Sequence, residues 1–129
     1  MKLDRETTIL AVDDEPAVLD MIASVLRTAG YKVLTAGGGW EAVEEYDRNP
    51  GSVDLLLTDV IMPDLTGPVL AQRLCERQPG LKVLFISGFH DAELVQRFVL
   101  HKGFTLLPKP FKMDALLRVV QEQLSDARR

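Results

Sequence analysis

The sequence is short of several things, and each shortage closes off a class of protein. A single cysteine, Cys75, permits no internal disulfide, which excludes the stapled scaffolds of small secreted proteins and points to a reducing cytoplasm. No apolar run approaches the roughly 18–20 residues that cross a bilayer, and the N-terminal MKLDRETT does not read as a signal peptide. Basic charge is scarce too: 15 Lys and Arg stand against 19 Asp and Glu for a net charge of -4, whereas nucleic-acid binders show a basic excess or stripe. The two histidines, His90 and His101, stand at no metal-ligand spacing with each other or with Cys75, so a zinc site is not expected. There is no internal repeat, low-complexity segment or charge block. What is present is apolar: 47% hydrophobic residues in a chain of 129, enough for one domain with its own core. The expectation is a single soluble domain over 1–129, with a core from about 7 to 124 and a frayed tail or linker remnant at 125–129.

The apolar residues fall in a regular alternation. Short runs rich in Ile, Val and Leu occur at Thr8–Val12, Lys32–Ala36, Val53–Thr58, Lys82–Ser87 and Phe104–Leu107. Amphipathic stretches lie between them. In the first, Val18, Met21, Ile22, Val25, Leu26 and Ala29 share one helical face, with Pro16 suited to its first turn and Gly30 to its C-terminal cap. The last carries Met113, Leu116, Leu117, Val120 and Leu124 on one stripe. Leu55–Leu57 and Val83–Ile86 do not alternate apolar with polar, which is the pattern of parallel strands covered on both faces. Five strands alternating with five helices in one α/β domain is the reading.

In such a sheet, function gathers beyond the C-terminal ends of the strands. The first run ends in Asp13-Asp14-Glu15, the third in Thr58-Asp59 followed by Met62-Pro63-Asp64, the fourth in Ser87-Gly88 and the fifth in Pro108-Lys109-Pro110. Carboxylates gathered on one rim repel each other unless a cation sits among them, and hard oxygen donors on a small hydrated site suit Mg²⁺. A carboxylate beside Mg²⁺ and a lysine is a nucleophile towards phosphorus, since the cations neutralise the phosphoryl oxygens. A serine hydroxyl across the site suits a hydrogen bond to the transferred group. These parts make an aspartyl-phosphate site.

The segments Ala11-Val12-Asp13-Asp14-Glu15, Leu57-Thr58-Asp59-Val60-Ile61-Met62-Pro63, Phe85-Ile86-Ser87-Gly88 and Pro108-Lys109-Pro110-Phe111 together resemble the receiver domain of two-component response regulators. The resemblance runs from about Thr7 to Leu124 and extends to receivers of hybrid sensor histidine kinases. It implies a doubly wound, flavodoxin-like parallel sheet in the order 2-1-3-4-5. It makes Asp59 the phosphoacceptor. It assigns Mg²⁺ to Asp14, Asp59 and the backbone carbonyl of Ile61, with Asp13 acting through water. It gives Ser87 the part of the switch hydroxyl and Lys109 a phosphoryl oxygen, with a cis bond from Lys109 to Pro110. The phosphoryl donor would be a sensor histidine kinase or a histidine phosphotransfer protein. The 91–124 face would meet a downstream partner or a second copy, with no direct nucleic-acid or membrane contact. The chain would catalyse only its own phosphorylation and dephosphorylation, in the cytoplasm. One departure stands out: Leu106 replaces the aromatic residue often found three positions before the lysine.

Simpler readings compete at each position. Asp13-Asp14-Glu15 alone would merely favour the positive end of a helix dipole, and Asp59 alone would be a strand-end turn. Gly37-Gly38-Gly39 lacks the Lys-Ser/Thr ending of a P-loop and reads as a flexible turn. Cys75, between Leu74 and the polar end of its helix, reads as a small core residue. Trp40 and Phe89 suit either partner contacts or local packing. An aspartyl-phosphate phosphatase of the haloacid-dehalogenase type needs a second Asp two residues after the nucleophile, and Ile61 stands there instead. The remaining alternative is a receiver-like scaffold not regulated by phosphorylation.

Overall fold

The computed structural model describes residues 7–88 and 104–126. Their order is β1 (Thr8–Val12), α1 (Pro16–Thr28), β2 (Lys32–Ala36), α2 (Gly39–Arg48), β3 (Leu55–Asp59), α3 (Gly67–Arg77), β4 (Lys82–Ser87), β5 (Thr105–Pro108) and α4 (Met113–Asp126). The helix expected between the fourth and fifth strands falls outside the described residues, as do Phe89, His90 and His101. All strand pairs are parallel and the sheet order is β2-β1-β3-β4-β5.

The unbroken apolar runs are explained by two cores, one on each face. Side chains alternate across a strand, so Leu10, Val12, Leu56, Val83 and Phe85 join Ala42 and Tyr46 of α2 and Leu70 and Leu74 of α3. Their neighbours Ile9, Ala11, Leu55, Leu57, Leu84 and Ile86 join Ile22 and Leu26 of α1 and Leu116 and Val120 of α4. Cys75 is half-buried against the first core, and burial raises its thiol pKa. Leu106 packs on that same core, paired in register with Phe85.

Helix α1 begins with Pro16 in its first turn, as expected, and closes through Gly30 at φ 103°, a left-handed conformation that suits glycine. Three elements differ in their bounds from the sequence reading, β3 and β5 each also ending one residue later, at Asp59 and Pro108. Strand β3 starts at Leu55 rather than Val53, because its ladder to β4 opens at Leu55 opposite Lys82, while the Asp54 carboxylate accepts the Thr8 N–H at 2.9 Å. Strand β5 starts at Thr105, where its ladder to β4 opens opposite Leu84, and Phe104 just before it sets its ring edge to face on Phe85 at 5.5 Å. Helix α4 continues through Ser125 to Asp126, where fraying was expected, with buried Leu124 anchoring its last turn. Among the described residues, no helix is long and apolar enough to cross a membrane.

Candidate functional site

Parallel pairing delivers the acidic residues to one rim. Asp13 follows the last residue of β1, Asp59 is the last of β3, and Lys109 follows β5. The N–H of Lys109 donates to the Ser87 carbonyl at 2.7 Å, tying the end of β5 to the end of β4. The Lys109–Pro110 peptide bond is cis.

Side chains of four of the expected residues converge there. The Lys109 ammonium donates to Asp13 Oδ2 at 3.1 Å and lies 3.6 Å from Asp59 Oδ2. It also stands 3.7 Å from Glu15 Oε1, a strand-end acid to which the motif assigned no role. Asp13, Asp14 and Asp59 each offer a carboxylate oxygen within 4.8 Å of the other two. Asp13 and Asp59 are buried and Asp14 is exposed, so the cluster opens to solvent on one side. Asp13 Oδ1 accepts the Glu15 N–H at 2.9 Å, and Asp59 Oδ1 accepts the Val60 N–H at 2.9 Å. Ser87 is buried at the end of β4, and its hydroxyl donates to the Gly88 carbonyl at 3.2 Å. Ile61 lies in the loop after β3 and is 52% exposed.

The electrostatics follow from this crowding. Burial pushes the Asp59 carboxyl from 3.8 up to about 7; the Asp13 charge and, less strongly, Asp14 add to the rise, while Lys109 and the Val60 N–H oppose it. Burial acts to lower the Lys109 pKa, yet the charges of Asp59, Asp13 and Glu15 and the hydrogen bond to Asp13 carry it above its ordinary value. One ammonium therefore faces an excess of carboxylates. The donor set is all oxygen, partly buried and open on one side, which fits a hydrated hard cation such as Mg²⁺.

Because Lys109 holds the Asp59 pKa down, Lys109→Met is expected to move the Asp59 titration midpoint above its wild-type value near 7. Carboxyl-carbon NMR of the metal-free protein would follow it. An unchanged midpoint would mean that this lysine does not act on Asp59 in solution.

The sequence model of the response regulator receiver domain matches residues 9–121. The chain belongs to that family. It is 35% identical over 122 residues to the sensor kinase CckA of Brucella abortus, covering 95% of this chain but 13% of the kinase. It is also 34% identical to the response regulator receiver protein CpdR of Brucella abortus, covering 90% of this chain and 95% of that protein. The solved receiver domain of the hybrid histidine kinase CckA superposes with a TM-score of 0.77 at 38% identity, covering 91% of this chain and 98% of that one. This receiver domain thus has the sheet order that the resemblance implied.

Two rim features were missed or misread. Asp64 was noted only as a strand-end acid; it reaches across to α2, accepting the N–H groups of Gly39 and Trp40 at 3.1 Å each. The glycine run was read as a flexible turn, but Gly38 is the N-cap of α2 and Gly39 its first residue, both buried. Nothing in linear spacing announces a carboxylate that caps a helix 25 residues away. Trp40 is exposed, and the Arg73 guanidinium lies over its ring at 4.8 Å, so it packs locally against α3.

Proposed function

We propose that this chain is a Mg²⁺-dependent phosphoacceptor in a cytoplasmic phosphorelay, taking a phosphoryl group on Asp59 from a sensor histidine kinase or a histidine phosphotransfer protein. The observation that carries the reading is the Lys109 ammonium set between Asp13 and Asp59 on an acidic rim, in a chain of the receiver family. Asp14, Asp59 and the Ile61 carbonyl would hold the cation, with Asp13 behind a water. Bound there, Mg²⁺ supplies positive charge that favours ionised Asp59 and neutralises phosphoryl oxygens.

The chain's own groups do the rest. An Asp59 carboxylate oxygen attacks phosphorus as the bond from phosphorus to the donor's histidine nitrogen breaks, and that nitrogen keeps the electron pair. Lys109, held by its hydrogen bond to Asp13, donates to a phosphoryl oxygen. The Ser87 hydroxyl turns from the Gly88 carbonyl to another. Hydrolysis by water later returns Asp59 to its free state, so the domain catalyses only its own cycle and turns over no external metabolite. The change in contacts is read by partners on the 91–124 face, of which β5 and α4 lie within the described residues. The whole chain is read as one such domain.

The test is direct. Incubation with Mg²⁺ and acetyl phosphate is expected to add the mass of one phosphoryl group to the intact protein, and a chelator to prevent it. No gain with Mg²⁺ present, together with no binding of beryllofluoride, would leave a receiver-shaped scaffold that works by constitutive contacts.

A further inference from the structure

The glycine run and Asp64 are left without a part in the phosphoryl chemistry, and they meet each other. The first N–H groups of a helix have no partners within it. Gly38, the N-cap of α2, has no side chain to offer them. Asp64 fills the gap from another loop: Oδ1 accepts from Gly39 and Oδ2 from Trp40. Those two N–H groups, Trp40 first, hold its carboxyl below the ordinary carboxylate value.

The glycines are shaped for this contact. A Cβ on Gly39 would lie 2.4 Å from Leu65 Cβ, and one on Gly38 would lie 3.1 Å from Asp64 Oδ2. The first is forbidden and the second is tight. Absence of side chains therefore lets Asp64 and Leu65 settle onto the end of α2.

The base of the same loop is fastened at Val60, next to Asp59. Val60 N–H donates to the Ile86 carbonyl at 3.0 Å, and Gly67 N–H donates to the Val60 carbonyl at 2.7 Å. Met62 is buried, while Ile61 stands out between the two anchors. The loop is thus pinned at both ends, and its far pin is the Asp64 carboxylate.

We infer that Asp64 is a positioning residue for the acceptor loop: by clamping residues 60–66 onto the glycine-lined start of α2, it fixes the Ile61 carbonyl and Asp59 relative to the cation and the incoming phosphoryl group. The inference rests on the phosphoacceptor reading above. It differs from a plain capping role, because a cap supplied from within α2 would not replace it.

That difference can be tested with Asp64→Ala, Asp64→Asn and the double variant Asp64→Ala with Gly38→Ser. Gly38 is extended, at φ -173°, and the three atoms nearest its Cβ position all belong to the Asp64 carboxylate, so Asp64→Ala removes the tight contacts that serine would meet there. Serine is a favoured N-cap, so the double variant caps α2 locally without tethering the loop. Mg²⁺ affinity is measured by calorimetry, and the rate of phosphoryl gain from acetyl phosphate by intact mass, at a temperature where all variants are folded. Melting temperature is recorded alongside. Asp64→Ala and the double variant are expected to need about 10–100-fold more Mg²⁺ and to gain the phosphoryl group more slowly, the range seen when outer partners of metal ligands are removed. Asp64→Asn, with one accepting oxygen left on the loop, is expected to fall between them and wild type. The double variant should melt above Asp64→Ala without regaining Mg²⁺ affinity. A double variant that matches wild type in Mg²⁺ affinity and rate overturns the inference and makes Asp64 a cap alone. Wild type that neither binds Mg²⁺ nor takes a phosphoryl group overturns the phosphoacceptor reading itself, and this inference with it.

Discussion

Asp59→Asn is expected to take no phosphoryl group from acetyl phosphate and, at pH 8 without divalent cations, to melt above the wild type. The first effect is loss of the nucleophile: an amide oxygen does not form a stable phosphate ester, so the gain in mass should vanish. The second follows from the carboxyl that burial pushes from 3.8 to about 7. Between those values the folded protein keeps a proton that the unfolded chain has released, so stability falls as pH rises from about 4 to 7. Above that window Asp59 is ionised in both states, and the folded state carries the full cost. The cost is roughly 2–4 kcal/mol after discounting for solvent at the open rim, or about 5–15 °C in melting temperature for a domain of this size. Asparagine keeps an oxygen for the Val60 N–H and carries no charge. The gap between variant and wild type should therefore close near pH 4 and reopen towards pH 8. Thermal melts across that range would check it; a constant gap would mean that Asp59 is not the group whose ionisation burdens the fold. Mg²⁺ should stabilise the wild type more than the variant, since only the wild type presents all three carboxylates.

The same rim shows which parts of this protein can be read from its sequence. Strands β1, β2 and β4 have the expected bounds because each is built on an apolar stretch, Ile9–Val12, Val33–Leu34 and Val83–Ile86, whose alternate side chains enter the cores on the two faces. Strand β3 is shorter at its start because Val53, although buried, precedes the β3–β4 ladder. Apolar character reports burial, and it reports pairing only through burial. Asp13, Asp14, Asp59 and Lys109 were legible for a different reason: parallel strands all end on one side, so residues just past their ends must meet. Asp64 and Glu15 were placed after strand ends by the same rule, but it did not say what either would touch. Each owes its contact to the path of a loop, Asp64 towards α2 and Glu15 towards Lys109, and no period or strand end predicts where a loop turns.

Gly67→Ala should be the most damaging single methyl in the described part of the protein. A Cβ there would lie 2.3 Å from the Asp59 carbonyl oxygen and 3.1 Å from Val60 Cα. Both obstacles are backbone, so no side chain can swing aside. Either α3 lifts its first turn away, breaking the 2.7 Å bond from Gly67 N–H to the Val60 carbonyl, or the end of β3 shifts and takes Asp59 with it. The expected loss is about 2–3 kcal/mol, the upper range for overpacking a tight interior. Phosphoryl gain should fall as well, because a displacement of about 1 Å at a reacting group can cost on the order of a hundredfold in rate. Gly80→Ala is the matched control: no atom lies within 4 Å of its Cβ position, and its φ is not positive. It should melt and react as wild type. A Gly67→Ala protein equal to that control in both measurements would mean that the start of α3 does not press on Asp59, and that the acceptor is held by the strand alone.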